Sequence, residues 1–162
     1  MWGRRGVSTA EIEELYRLRG EHFVRVAAAI AGNGEAGRDA VQDAFATAIR
    51  RRSTFRGTGS LEAWLWRIVV NAARRYSSTP SQIELVEADE PSGNGHPVDE
   101  LGLRTWIAAL PDRQREALFL RYYADLDYRR IAGILEIEVG TVSATLSAAH
   151  NKLRVALREV QR

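Results

Sequence analysis

Between Ser77 and Glu100 the sequence carries six acidic residues and neither a lysine nor an arginine, among Pro, Gly and Ser with few large apolar side chains. Such a stretch cannot bury enough apolar surface to offset the entropy of ordering it, so it is expected to be a flexible linker without a core of its own. Two domains are implied, one on each side. With 162 residues and 45% hydrophobic content, the chain has enough apolar material for two small cores.

Both flanks show helical spacing. Ser8 and Glu11 form a capping box that opens a long amphipathic helix, with Ile12, Tyr16, Phe23, Val26, Ala27 and Ile30 inward until GNG at 32–34 stops it. A second helix is expected over about 36–52, burying Ala40, Val41, Ala44, Phe45, Ala48 and Ile49, before STFRGTGS breaks the pattern. Ser60 is placed to cap a third, with Leu61, Trp64, Leu65, Ile68, Ala72 and Tyr76 inward. No β-type alternation occurs in this half. Beyond the linker a helix is expected near Leu101, the pattern restarts at Pro111, and residues 128–135 make a short helix. After the turn EIEVG a last helix runs to about Val160, with Ile137 and Val139 available to plug the joint and small Ala132 permitting a close crossing. The fold class is all-α, and the second half reads as a helix-turn-helix.

Charge narrows the function. The net charge of +2 conceals 13 basic and 8 acidic residues over 1–76, and 10 basic and 7 acidic over 101–162. Two basic ends about an acidic strap suggest contact with a polyanion at both ends. Only Lys152 among the 23 basic residues is lysine, a bias that phosphate recognition and a GC-rich genome would both produce. No apolar run approaches a membrane span, the start lacks the apolar core of a signal peptide, and without cysteine there is neither a disulfide framework nor a thiolate metal site. A cytoplasmic protein without membrane insertion is expected. Catalysis is not: His22, His96 and His150 are scattered, and neither a glycine-rich phosphate loop nor a Ser/His/Asp pattern occurs, so no catalytic, cofactor or metal residue is assigned.

The segments DAVQDAFATAI, FRGTGSLEAWLWRIVVNAARR and LPDRQREALFLRYYADLDYRRIAGILEIEVGTV, in that order, resemble bacterial RNA polymerase sigma factors of the extracytoplasmic-function (ECF) group. The resemblance covers most of the chain, leaving out the first few residues and most of the linker, and several motifs in fixed order are more specific than a lone helix-turn-helix. It implies a region-two domain at 8–78 that binds core RNA polymerase and the minus-ten element, a flexible acidic linker at 79–100, and a region-four helix-turn-helix domain at 101–162 that binds the minus-thirty-five element. The partners it implies are core RNA polymerase and promoter DNA, single-stranded at the minus-ten and duplex at the minus-thirty-five element. Family members often pair with an anti-sigma factor as well, which nothing in these residues reveals.

The resemblance also assigns sites. The helix holding Asp39, Gln42 and Asp43 on its outward side corresponds to one that docks on the clamp of the polymerase core. Acids early in a helix equally complement its dipole, so the residues alone leave that open. Arg67, Asn71 and Arg74 fall at i, i+4 and i+7, a single stripe preceded by the loop Phe55, Arg56, Gly57, Thr58, Gly59 and Ser60. Arginines suit phosphates, an amide pairs with a base edge, and an aromatic stacks on an unpaired base. In the family such a loop and asparagine capture a flipped base of the minus-ten element. On its own Asn71 reads equally as a helix-surface amide. Trp64 is assigned to the core by its place on the apolar stripe, and the role of Trp66 is open. The linker corresponds to a connector that threads the polymerase near the transcript path, and a solvated tether fits its composition as well.

The last helix is unusual for this purpose. Val142, Leu146, Ala149 and Leu153 make its inward stripe, while the outward face reads Ser143, Ala144, Thr145, Ser147 and Ala148. Related proteins typically carry Arg or Lys where Ser143, Thr145 and Ala148 stand. What remains are the hydroxyls of Thr141, Ser143, Thr145 and Ser147 and methyl groups that suit thymine, with phosphate anchoring left to Arg129, Arg130 and Lys152. Either the minus-thirty-five contact is weak and promoter choice leans on the minus-ten region or an activator, or the helix reads an unusual thymine-rich element. A DNA-binding regulator that never touches polymerase would not need the Phe55 loop, the Asn71 stripe or a docking helix. A degenerate relative that binds core and initiates poorly stays open.

Overall fold

A computed structural model describes residues 6–77 and 105–160; the expected linker and the start of the helix near Leu101 lie outside the described residues. Among the described residues all regular elements are helical. Helix α1 (Thr9–Ala31) opens with the expected capping box: Ser8 Oγ accepts from the Glu11 N–H at 3.2 Å and the Glu11 carboxylate accepts from the Ser8 N–H at 2.9 Å. Helix α2 (Gly34–Arg50) starts two residues before the expected position because the Asn33 side chain caps it, accepting from the Ala36 N–H at 2.8 Å. A 3-10 turn (Arg52–Thr54) leads to the loop before α3 (Leu61–Tyr76), which Ser60 caps as expected. Residues 105–108 are helical, and α4 (Asp112–Tyr122), α5 (Tyr128–Leu135) and α6 (Val139–Val160) complete the order.

The first half packs around an aromatic pile. Phe23 lies against Trp66 with centroids 4.2 Å apart, Phe45 meets Phe23 edge-on at 5.4 Å, and Tyr16 meets Phe45 edge-on at 4.9 Å. Three helices are thereby joined through four rings. Trp66 is wholly buried, and its indole N–H reaches Glu62 at 3.4 Å. This corrects the assignment of Trp64 to the core: Trp64 is only partly buried and Trp66 takes the central place, with Leu65, Val69, Val70, Ala72 and Ala73. The physical reason is that α3 packs on several neighbours and buries a wide arc, whose centre lies beyond the stripe chosen from spacing. Tyr16, expected inward, is 49% exposed and covers Phe45 from the rim, and Ile49 is half-buried. Helices α1 and α2 cross so closely that a Cβ at Gly37 would stand 2.5 Å from the Ala28 backbone.

The second half buries Leu120, Leu126, Ile131, Leu135, Val142, Leu146 and Ala149. Asp127 caps α5 by accepting from the Arg130 N–H at 2.8 Å, and α5 and α6 meet at a 99° bend, the helix-turn-helix arrangement. The turn passes through Glu136 in the left-handed region at φ 57°. Ile137 packs into the joint, but Val139, expected beside it, is 45% exposed, because it opens α6 on the side away from the core. Arg115, only 5% exposed, fastens 105–110 to α4: its guanidinium donates to the Ala108 carbonyl at 3.1 Å and to Asp112 at 2.9 Å. Part of the arginine content is therefore structural. Among the described residues no single helix is long and apolar enough to cross a membrane.

The two halves touch: α1 packs on α4 and α3 on α5. Several polar contacts cross this seam. Arg19 bridges it, pairing with Glu62 at 3.1 Å within the first half and reaching the Ala124 carbonyl of the second at 3.4 Å.

Candidate nucleic-acid interface

The loop before α3 is shaped by two glycines in the left-handed region, Gly57 at φ 71° and Gly59 at φ 88°, a conformation side-chain-bearing residues rarely adopt. Its base is tied to the start of the chain, where the Gly6 and Val7 N–H groups donate to the carbonyls of Phe55 at 2.9 Å and Arg52 at 3.0 Å. Arg56, Gly57, Thr58, Gly59 and Ser60 are exposed. Phe55 is half-buried and leans on Trp64, centroids 5.5 Å apart and planes at 55°. Trp64 is thus the floor under Phe55, a role that its spacing alone did not reveal.

One turn further, α3 presents the expected stripe: Arg67 and Asn71 are exposed and Arg74 half-buried. None of the three is idle. Arg74 grips the Glu116 carboxylate of α4 with two bonds, Nε to Oε1 at 2.8 Å and Nη2 to Oε2 at 2.9 Å, and its Nη1 donates to the Asn71 side-chain oxygen at 3.1 Å. The bond to Glu116 is the main cause that raises the Arg74 pKa above its ordinary value; desolvation opposes it, and the charges of Glu116, Glu136 and Asp112 add to it. Arg67 donates to the Gly133 carbonyl of α5 at 2.7 Å and lies 3.9 Å from Glu136. Glu116, 5% exposed at its side chain and also 3.7 Å from Arg113, is not a residue that the sequence singles out. Its partner on α3 stands 42 positions away, and no periodicity signals such a pairing.

On α2, Asp39, Gln42 and Asp43 are all exposed on one side, as expected. Asp43 additionally accepts a hydrogen bond from the Tyr76 hydroxyl, which raises the phenol above its usual pKa, with burial and the charges of Asp43 and Asp39 adding to the effect and Arg75 opposing it.

On α6, Thr141, Ser143, Ala144, Ser147 and Lys152 are exposed, as are Arg129 and Arg130 on α5, while Thr145 and Ala148 are half-buried. The Thr145 hydroxyl donates back to the Thr141 carbonyl at 2.7 Å, so its proton is already used. A shallow depression of about 490 Å³ continues this face, lined by Ser147, Ala148, His150, Asn151 and Arg154. Arg154, a cation on this face that was not expected there, stands at i+7 from Ser147, and that spacing is the signal for it. Tyr122 shares a 2.8 Å hydrogen bond with His150 beside it. Among the described residues no group of three His, Asp or Glu side chains comes together to hold a metal.

The chain matches the family models for Sigma-70 region 2 over residues 15–79 and Sigma-70, region 4 over residues 101–153. It is 31% identical over 144 residues to the ECF RNA polymerase sigma-E factor of Escherichia coli (strain K12), covering 74% of this chain and 75% of that protein. The chain belongs to the ECF RNA polymerase sigma factors. A second relative, the RNA polymerase sigma-H factor of Pseudomonas aeruginosa, is 29% identical over 143 residues, covering 76% of this chain and 74% of that protein. Two solved structures share the fold. CnrH in complex with the cytosolic domain of CnrY matches at TM-score 0.74 and 20% identity, over 94% of this chain and 90% of that one. The sigma factor RpoE of Bartonella quintana with the anti-sigma factor NepR matches at 0.67 and 22%, over 93% and 98%. This ECF factor is an alternative sigma factor that directs promoter recognition for transcription initiation. Sigma factors are initiation factors and are not themselves catalysts.

Proposed function

We propose that this sigma factor works in the cytoplasm by binding alone, holding core RNA polymerase and both promoter elements with separate surfaces. Residues 8–78 form the region-two domain, 79–100 the acidic linker and 101–162 the region-four domain. Asp39, Gln42 and Asp43 meet the polymerase clamp. Phe55 and the loop from Arg56 to Ser60 receive an extruded base of the minus-ten element, Asn71 reads its edge, and Arg67 and Arg74 hold the flanking phosphates. Arg129, Arg130, Thr141, Ser143, Ala144, Thr145, Ser147, Ala148 and Lys152 form the duplex contact at the minus-thirty-five element.

The observation that most supports this reading is the half-buried Phe55 braced on Trp64 beside an exposed amide and two arginines, an arrangement suited to one unpaired strand. CnrH and the Bartonella RpoE were each solved with a protein partner, and we extend that to an anti-sigma factor for this chain. Reconstituted transcription tests the proposal. The chain and core polymerase, combined on a library of upstream sequences from the source genome, should give starts at positions that core alone does not use. A start pattern identical to that of core alone would overturn it.

A further inference from the structure

We propose that Glu116 stands in for a DNA phosphate, holding the factor in a closed form in which its own helix-turn-helix half engages the two arginines of the minus-ten stripe. The inference rests on the reading of Arg67, Asn71 and Arg74 as that stripe. A carboxylate gripped by two parallel guanidinium bonds presents to arginine the same fork that a phosphate presents. Glu116 meets Arg74 in that way at 2.8 and 2.9 Å. Arg67 is engaged in the same seam, taken by the Gly133 carbonyl and facing Glu136, while Asn71 accepts from Arg74 within α3. Glu116 is 5% exposed at its side chain, so the grip is sheltered from salt more than a surface pair is. DNA competes with Glu116 for the Arg74 fork, and the two halves part when it takes that place.

The sequence has no cysteine, so Arg50→Cys and Arg158→Cys, both at exposed positions, give the full chain two dye sites for energy transfer. Glu116→Gln should raise the open-to-closed ratio about tenfold, the weight of a charge-assisted pair. The exchange Arg74→Glu with Glu116→Arg should restore closure, which also guards against Glu116→Gln acting through misfolding. Asp125→Asn removes a charge from the same half without touching the latch and should leave the ratio at the wild-type value. Affinity of the full chain for a short single-stranded DNA of mixed sequence should rise by a similar factor in Glu116→Gln. Unchanged energy transfer in Glu116→Gln, or an exchange variant that stays open, would overturn the latch. Opening without tighter strand binding would overturn the masking role by removing the stripe reading beneath it, while the closure itself would stand.

Discussion

Trp64 and Trp66, two positions apart on α3, do different work. Trp66 is wholly enclosed by Phe23 and the α3 core, so Trp66→Ala should cost about 3–5 kcal/mol in a denaturant melt. Trp64 is a partly buried floor for Phe55, and Trp64→Ala should lose less stability while slowing open-complex formation. Asn71 is exposed and accepts from Arg74, three positions along the same helix, so Asn71→Ala should leave the melting temperature in place. It should weaken open complexes by about 1–3 kcal/mol and relax preference at one minus-ten position, as loss of a base-edge contact does. A collapsed melt would mark Asn71 as structural instead. Spacing points to an apolar stripe on α3 and places Arg67, Asn71 and Arg74 together outside it. It cannot separate the tryptophans, because the apolar arc is broad enough to take in either and only the positions of α1 and α2 decide where its buried centre falls.

At the scale of elements, the crossing of α1 and α2 depends on the missing side chain at Gly37. A methyl there would meet backbone at 2.5 Å, and backbone in the middle of a helix yields little. Gly37→Ala should therefore destabilise the first half by about 1–3 kcal/mol, read as a lower urea midpoint. Helix α6 has the converse character, a sound inward stripe with an outward face short of charge. In the full chain, Ser143→Arg with Ala148→Arg should steepen log K against log salt on duplex promoter DNA by about one unit for each phosphate that the new arginines neutralise. An unaltered slope would show that this face does not meet the duplex. Element boundaries are legible at Ser8, Ser60 and Asp127, where a side chain closes a cap, but the cap at Asn33 lies inside a GNG run that reads as a break, so spacing puts the start of α2 too late. Val139 faces outward against expectation because the left-handed turn at Glu136 sets the direction in which α6 leaves the joint, and a turn of that kind usually announces itself with glycine.

Across the whole molecule, the contact of the two halves is the part least open to sequence reasoning. Charge counts show two basic ends and predict attraction of both to a polyanion, yet Arg74 and Arg67 are satisfied within the chain by Glu116 and the Gly133 carbonyl. An acid buried on α4 reads in sequence as one more member of a polar helix face. Because Arg74 and Glu116 belong to one polypeptide, their pairing is first order in protein. Dilution from micromolar to nanomolar should accordingly leave the energy transfer of the doubly labelled chain unchanged, and a decline would expose pairing between molecules. For a cell this separates supply from readiness: making more of the factor raises open and closed forms in the same proportion. Only a ligand that favours one form alters the ratio, so output per molecule is set by the latch while the number of molecules is set by expression.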